Sequence, residues 1–122
     1  MNEPLAPHGE EPAAHSLAAL STELLDQARA HSSQRAAATV AGGPVMRATL
    51  IAMTAGAQLA EHDAPPAATL QTVTGHVVLQ AGSRQWRVGA GDLVTVPQVR
   101  HRVIAEADSV ILLTVALHGP AA

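Results

Sequence analysis

The side chains with the widest chemistry in this sequence are its seven histidines. Imidazole gains and loses a proton near neutral pH, and either nitrogen of the neutral ring can bind a metal ion. His8 and His15 lie in a stretch rich in proline, acid and alanine, where nothing fixes the geometry that a metal site needs. His62 and His101 border turn-forming residues beside apolar runs. Alone, such a histidine is most often a surface group or a hydrogen-bonding anchor for a loop. If the two converge, like-charge repulsion lowers their proton affinity and keeps one ring neutral. That ring could serve as a general base while its partner orients an anionic ligand. Arg100 and Arg102 flank His101, and on a strand they share the face opposite to it. Solvated surface charge is their expected role, with an anion contact as the alternative.

Composition narrows the chemistry further. The chain has no cysteine, which removes disulfides, thiolate metal sites and thiol nucleophiles. Trp86 is the only aromatic residue of the Phe, Trp and Tyr group, which argues against stacking sites for sugars, flavins or bases. Trp86 is expected to fill core or interface. All seven basic residues are arginines, scattered between Arg29 and Arg102 without forming a run, so no nucleic acid partner is expected. The N-terminus lacks the basic region and apolar stretch of a signal peptide, and no segment approaches the roughly 18 uninterrupted apolar residues of a membrane span. The expectation is a soluble cytoplasmic protein with no membrane partner.

The elements that must position these residues follow from periodicity. At 122 residues the chain is sized for one domain. Residues 1–15 read as a mobile tail. Over residues 16–31, Leu17, Leu20, Leu24 and Ala28 recur at helical spacing with Leu25 widening the stripe, and Ser16 or Ser21 could cap the start. This amphipathic helix packs on its own domain or contributes to a dimer. From residue 36 to 118 the signal changes to short apolar runs broken by Gly, Pro and Asp: 36–41, 45–53, 68–74, 76–81, 85–89, 92–97, 101–107 and 109–117. Strands of that length with regular turn signals mark an all-β sandwich or barrel. Gly82-Ser83 should close a hairpin, Gly89 to Asp92 another turn, and Ala107-Asp108 the last one.

Two spacings within this strand rhythm resemble the motifs of the cupin superfamily. Gly56 is followed by five residues and His62, and the frame closes at Gly75. Gly91 is followed by five residues and Pro97, with His101 shortly after. The resemblance covers about 70 residues. It implies an all-β fold, a cupin-type antiparallel jelly-roll barrel, here with one N-terminal α-helix. The helix and the stretch from Ala36 are similar to the arm that small bacterial cupins often carry. The family's metal site would use two histidines and a glutamate from the first motif and one histidine from the second. Carried onto this chain, that leaves His62 and His101 as metal ligands, because Ala64 and Ala68 stand at the other two positions. The middle glycine and terminal asparagine of the second motif are absent as well.

The resemblance therefore implies at most one divalent transition metal (Fe, Mn, Ni, Cu or Zn) held by a thin ligand set. A first-row metal site normally has at least three protein ligands. Gln71 is the nearest polar candidate for a third donor or for barrel lining, but its odd offset from Ala68 turns it outward unless a bulge intervenes. Asp63 should point away from His62, and His76 could sit at a rim. Two functions follow. The favoured one is a non-catalytic sensor or accessory module that binds a small molecule, and the other a metal-dependent dioxygenase or isomerase acting on a small metabolite. Whether the chain is an enzyme is left open. A homodimer is expected, because the apolar run SVILLTVAL offers an adhesive edge or face if left uncovered.

Overall fold

Each of the expected runs forms a strand, and one more appears that the sequence did not announce. The computed structural model describes residues 12–62 and 64–119, with His62 described by its backbone alone. The tail expected over 1–15 thus lies mostly outside the described residues. Helix α1 (Leu17–Ala30) is followed by β1 (Arg35–Gly42), β2 (Met46–Met53), β3 (Gln58–His62), β4 (Ala67–Thr74), β5 (His76–Ala81), β6 (Arg84–Gly89), β7 (Leu93–Thr95), β8 (His101–Ala105) and β9 (Ser109–Ala116). The unannounced strand is β3.

The strands form two antiparallel sheets, a five-stranded one in the order β1-β2-β9-β4-β7 and a four-stranded one in the order β3-β8-β5-β6. This is a jelly-roll arrangement, with the chain crossing between sheets after β2, β3, β4, β6, β7 and β8. Strict alternation fills the space between them. Met53, Leu70, Leu79, Val77, Val88 and Ile111 are buried there, with Ile51, Leu59, Trp86, Leu113 and Val115 packed against them. Trp86 is thus core filling, as expected.

The outer face of the five-stranded sheet carries a second cluster. Leu24 and Ala28 of α1 press on Leu50, Ala52 and Val110, with Leu17, Leu20 and Leu25 at the margin. The leucine stripe therefore packs on its own domain. Ser16 is the cap: its hydroxyl accepts a hydrogen bond from the Ala19 amide at 3.2 Å. Ser21 instead lies inside the helix, where it is buried and donates to the Leu17 carbonyl at 2.6 Å.

Strand β9 corrects one expectation. The run SVILLTVAL is not an edge, because β2 and β4 pair with its two sides. Its inner face supplies Ile111, Leu113 and Val115 to the barrel core. Val110 and Leu112 on the other face join the cluster beneath α1. The adhesive surface expected from that strand is occupied within the chain.

One end of the barrel, here called the base, is closed by a set of polar latches. Ser109 is buried; its hydroxyl receives the His76 amide at 3.1 Å and lies 2.7 Å from the Ala107 carbonyl. Asp108 receives the Ala55 amide at 2.9 Å and pairs with Arg29 of α1 at 3.0 Å. These two contacts, the amide first, hold the Asp108 carboxyl below its ordinary value of 3.8. Gly75 passes so close to this corner that a Cβ on it would lie 2.4 Å from the Asp108 carbonyl oxygen.

Candidate functional site

The opposite end of the barrel, the mouth, holds the two histidine positions. Residues 63–66, the hairpin at Gly82-Ser83 and residues 96–100 all connect strands there. Strand β3 pairs with β8 as Gln58 with Ile104 and Leu59 with Val103, and then the register shifts so that His62 stands opposite His101. Ala60 and Glu61 together face the single residue Arg102, which is a β-bulge. The bulge has a consequence for parity. Leu59 packs into the core, and three steps of plain alternation would carry residue 62 to the outside. The extra residue brings the His62 position level with His101 instead, where directly paired Cα atoms stand about 4.5–5.5 Å apart.

His101 alternates with Val103 and Ala105 on the inner face of β8, and it is only 3% exposed. Its Nδ1 lies 2.8 Å from the Val99 carbonyl oxygen. A carbonyl only accepts, so Nδ1 carries the proton and donates it. The neutral ring therefore keeps its lone pair on Nε2, the tautomer that a ligand-binding imidazole needs. The loop behind it is strapped down: the Val96 amide donates to the Ala68 carbonyl at 2.9 Å, Gln98 donates to the Pro66 carbonyl, and Arg100 pairs with Glu61 at 3.2 Å.

Registers extend this pair into a row. Gln80 pairs with Arg102, so Ala81, the next residue of β5, falls beside His101. Ala81 pairs in turn with Arg84 of β6. Across the inner face at the mouth the positions thus run His62, His101, Ala81, Arg84. The row below it runs Leu59, Val103, Leu79, Trp86. Opposite them, the five-stranded sheet presents Arg47, Val115 and Ala68 as a paired row, and Ala68 is followed by Val96 through the bond given above.

The remaining sequence-based candidates fall elsewhere. Gln71 lies between Leu70 and Thr72, which are buried on the inner face, and pairs with Leu93 and Leu112 on the outer side of its sheet. The bulge of β4 comes only after Thr72, too late to turn it inward. Gln71 is therefore withdrawn as barrel lining and as a third donor. His76 is exposed at the base, far along β5 from His101. Asp63 lies outside the described residues. Arg102 sits on the outer face, as alternation required, with its Nε buried and without a hydrogen-bond partner. Arg84 and Arg47 were not singled out from the sequence. The signal for Arg84 was its two-residue spacing from Trp86, which puts both on one face once the tryptophan is taken as core.

A resident metal ion is a poor match to these residues. Among the described residues, no three His, Cys, Asp or Glu side chains cluster to hold an ion. Among the described residues, the inner-face positions at the mouth otherwise carry alanine, valine and arginine, none of which is a useful metal donor. Two imidazoles fall short of the three ligands of a stable site.

Comparison with known proteins agrees on the fold. No family model matches the chain, and no curated protein matches it. Solved structures do. A conserved protein of unknown function from Streptococcus pyogenes superposes with a TM-score of 0.65 at 20% identity, covering 75% of this chain and 80% of that one. A cupin superfamily protein from Desulfitobacterium hafniense gives 0.66 at 13% identity, covering 72% and 82%. A salicylate 1,2-dioxygenase from Pseudaminobacter salicylatoxidans gives 0.67 at 16% identity, with 80% of this chain matching 33% of that larger protein. The three glycines of the motif frame, Gly56, Gly75 and Gly91, all hold positive φ, at 88°, 77° and 87°. With its two antiparallel sheets, its N-terminal helix and these neighbours, the chain has the fold of a small cupin domain, an antiparallel jelly-roll barrel.

Proposed function

We propose that this chain is a non-catalytic binding module, a sensor or accessory domain that takes a small molecule at the barrel mouth, between His62 and His101. The observation that carries this reading is the β3 bulge, which sets the His62 position opposite a buried His101 whose tautomer is fixed by Val99. Bulges are over-represented next to active sites, and this one sets position 62 directly opposite position 101. Small apolar residues, Ala68, Ala81 and Val96, are buried near the pair. Such a wall with a few convergent polar groups is the usual composition of a small-molecule site.

The second reading is a metal-dependent dioxygenase or isomerase. It draws on the His101 tautomer, since metal-bound histidines commonly donate their other ring N–H to a carbonyl, and on the printed name of the dioxygenase neighbour, which shares only the fold. The missing third ligand weighs against it, and no reaction step is assigned. Nor does binding at the mouth require a second copy of the chain.

The test is a thermal-shift screen of a metabolite collection on the natively purified protein, repeated on His101→Asn and on Ala81→Val, which narrows the same row. The expected result is a compound that raises the unfolding temperature of the wild type and loses its effect in both variants. A compound whose effect survives both changes would overturn the proposal. Metal analysis of the same preparation tests the second reading: stoichiometric metal lost in His101→Asn would favour it.

A further inference from the structure

We infer that the ligand of the mouth is a small aliphatic carboxylate, held by its carboxylate on Arg84; this rests on the binding reading above and names its substrate class. Three observations meet at Arg84. Its guanidinium carbon lies 5.1 Å from the centre of the Trp86 ring, so the side chain is stacked on the barrel's only tryptophan. Trp86 in turn packs against the barrel core. The arginine is thereby ordered on one face, while the edge of its planar fork, which carries the N–H donors, is left to pair with a carboxylate. Second, no carboxylate among the described residues forms an ion pair with Arg84, whereas Arg29, Arg87 and Arg100 each have one.

Third, the charge of the inner-face positions at the mouth is one-sided. Arg84 stands in one row, and Arg47 stands in the facing row. Glu61, one residue before the His62 position on β3, is held by Arg100. An anion entering here meets an arginine from each sheet. The walls also set the class. Ala68, Ala81, Val96 and Val103 are small and apolar, which favours an aliphatic body over a heavily hydrated phosphate or sulfate.

Geometry sets the size. The Arg84 position lies two strands from His101, a span of about 10 Å at the usual spacing of 4.7–4.9 Å. Ala81 stands between the two positions, so a chain of a few carbons laid over it fits within that span. One end of the ligand would then accept from Arg84, and its aliphatic body would lie over Ala81 on the side toward His101.

Trp86 supplies the readout, because the protein has one Trp and no Tyr. Emission would be followed while butyrate, succinate, the neutral amide butyramide and inorganic phosphate are titrated into the full-length protein. The expected result is a saturable change with butyrate or succinate and none with butyramide or phosphate. In Arg84→Gln, the apparent Kd for the carboxylate should weaken by at least about tenfold, as expected on removing a charge-assisted bidentate pair. Far-UV circular dichroism of that variant should match the wild type, since Arg84 is exposed. Equal affinity in Arg84→Gln, an equal response to phosphate, or no response to either carboxylate would overturn the carboxylate assignment. If butyramide or another neutral compound alters Trp86 emission and His101→Asn abolishes the response, the binding site stands and only the ligand class falls. If carboxylates bind without any effect of Arg84→Gln or His101→Asn, both readings fall.

Discussion

Replacing Gly75 by alanine should be among the most damaging single-methyl changes in this protein, and the structure gives its size. Gly75 has φ +77°, in the left-handed region, where a residue with a Cβ costs about 1–2 kcal/mol. The added Cβ would also lie 2.4 Å from the Asp108 carbonyl oxygen, 2.4 Å from Ser109 Oγ and 2.8 Å from Ser109 Cα. Two of those three neighbours are backbone and cannot swing aside. Overpacking of that kind adds about 1–3 kcal/mol, for a total of roughly 2–5 kcal/mol. Displacing Ser109 would also disturb the bond it accepts from the His76 amide. The control is Gly82→Ala in the hairpin at the mouth. Gly82 has φ +59° but nothing within 4 Å of its missing Cβ, so only the conformational cost of about 1–2 kcal/mol applies. Urea unfolding followed by Trp86 emission reads both variants, with the slope expected to stay constant. Gly75→Ala should be less stable than Gly82→Ala by about 1–3 kcal/mol. Equal losses would refute the close packing of β5 on the Asp108–Ser109 turn.

Other expectations follow from the same contacts. Leu24→Ala should cost about 2–5 kcal/mol in denaturant unfolding, because Leu24 is 4% exposed in the cluster beneath α1; a loss below about 1 kcal/mol would mean that the helix is not a structural part of the domain. Ser16→Ala should destabilise the first turn of α1 by about 1 kcal/mol and speed amide exchange at Ala19, whose N–H it caps. The lowered carboxyl of Asp108 is the source of one pH effect: its contribution is present above the ordinary value of 3.8 and is lost as pH falls through the lower folded value. Asp108→Asn should therefore flatten the acid limb of the stability curve, and an unchanged limb would exclude this latch.

The sequence carried the sheet more fully than the site. Runs such as HVVLQA and ATLQTVT alternate or stay apolar over their whole length, and each became a strand within a residue or so of its expected bounds. QLAEH did not read as a strand because its bulge breaks the alternation, and because Leu59 alone among its described side chains packs into the core. That same bulge decides the site. Parity alone would send residue 62 outward, and no local composition announces the extra residue; only the motif resemblance tied His62 to His101. Gln71 was the reverse case. Its outward parity was legible, and β4 keeps to it through that residue. Arg84 went unnoticed because its importance depends on two hydrogen-bond registers, β5 with β6 and β5 with β8, which are long-range pairings that no short window contains.

The proposed binding of small molecules belongs to the end of the barrel where His62 pairs with His101 across β3 and β8. Amide chemical-shift mapping of the isotope-labelled protein, with the strongest compound from the thermal-shift screen, tests it most directly. The account predicts saturable shifts at His62, His101, Ala81 and Arg84, together with the Trp86 side-chain N–H, and little change in α1. The structure has an open cavity lined by Pro12, Ala13, His15 and residues 39–44. Shifts concentrated there, with the His101 row unmoved, would contradict the account.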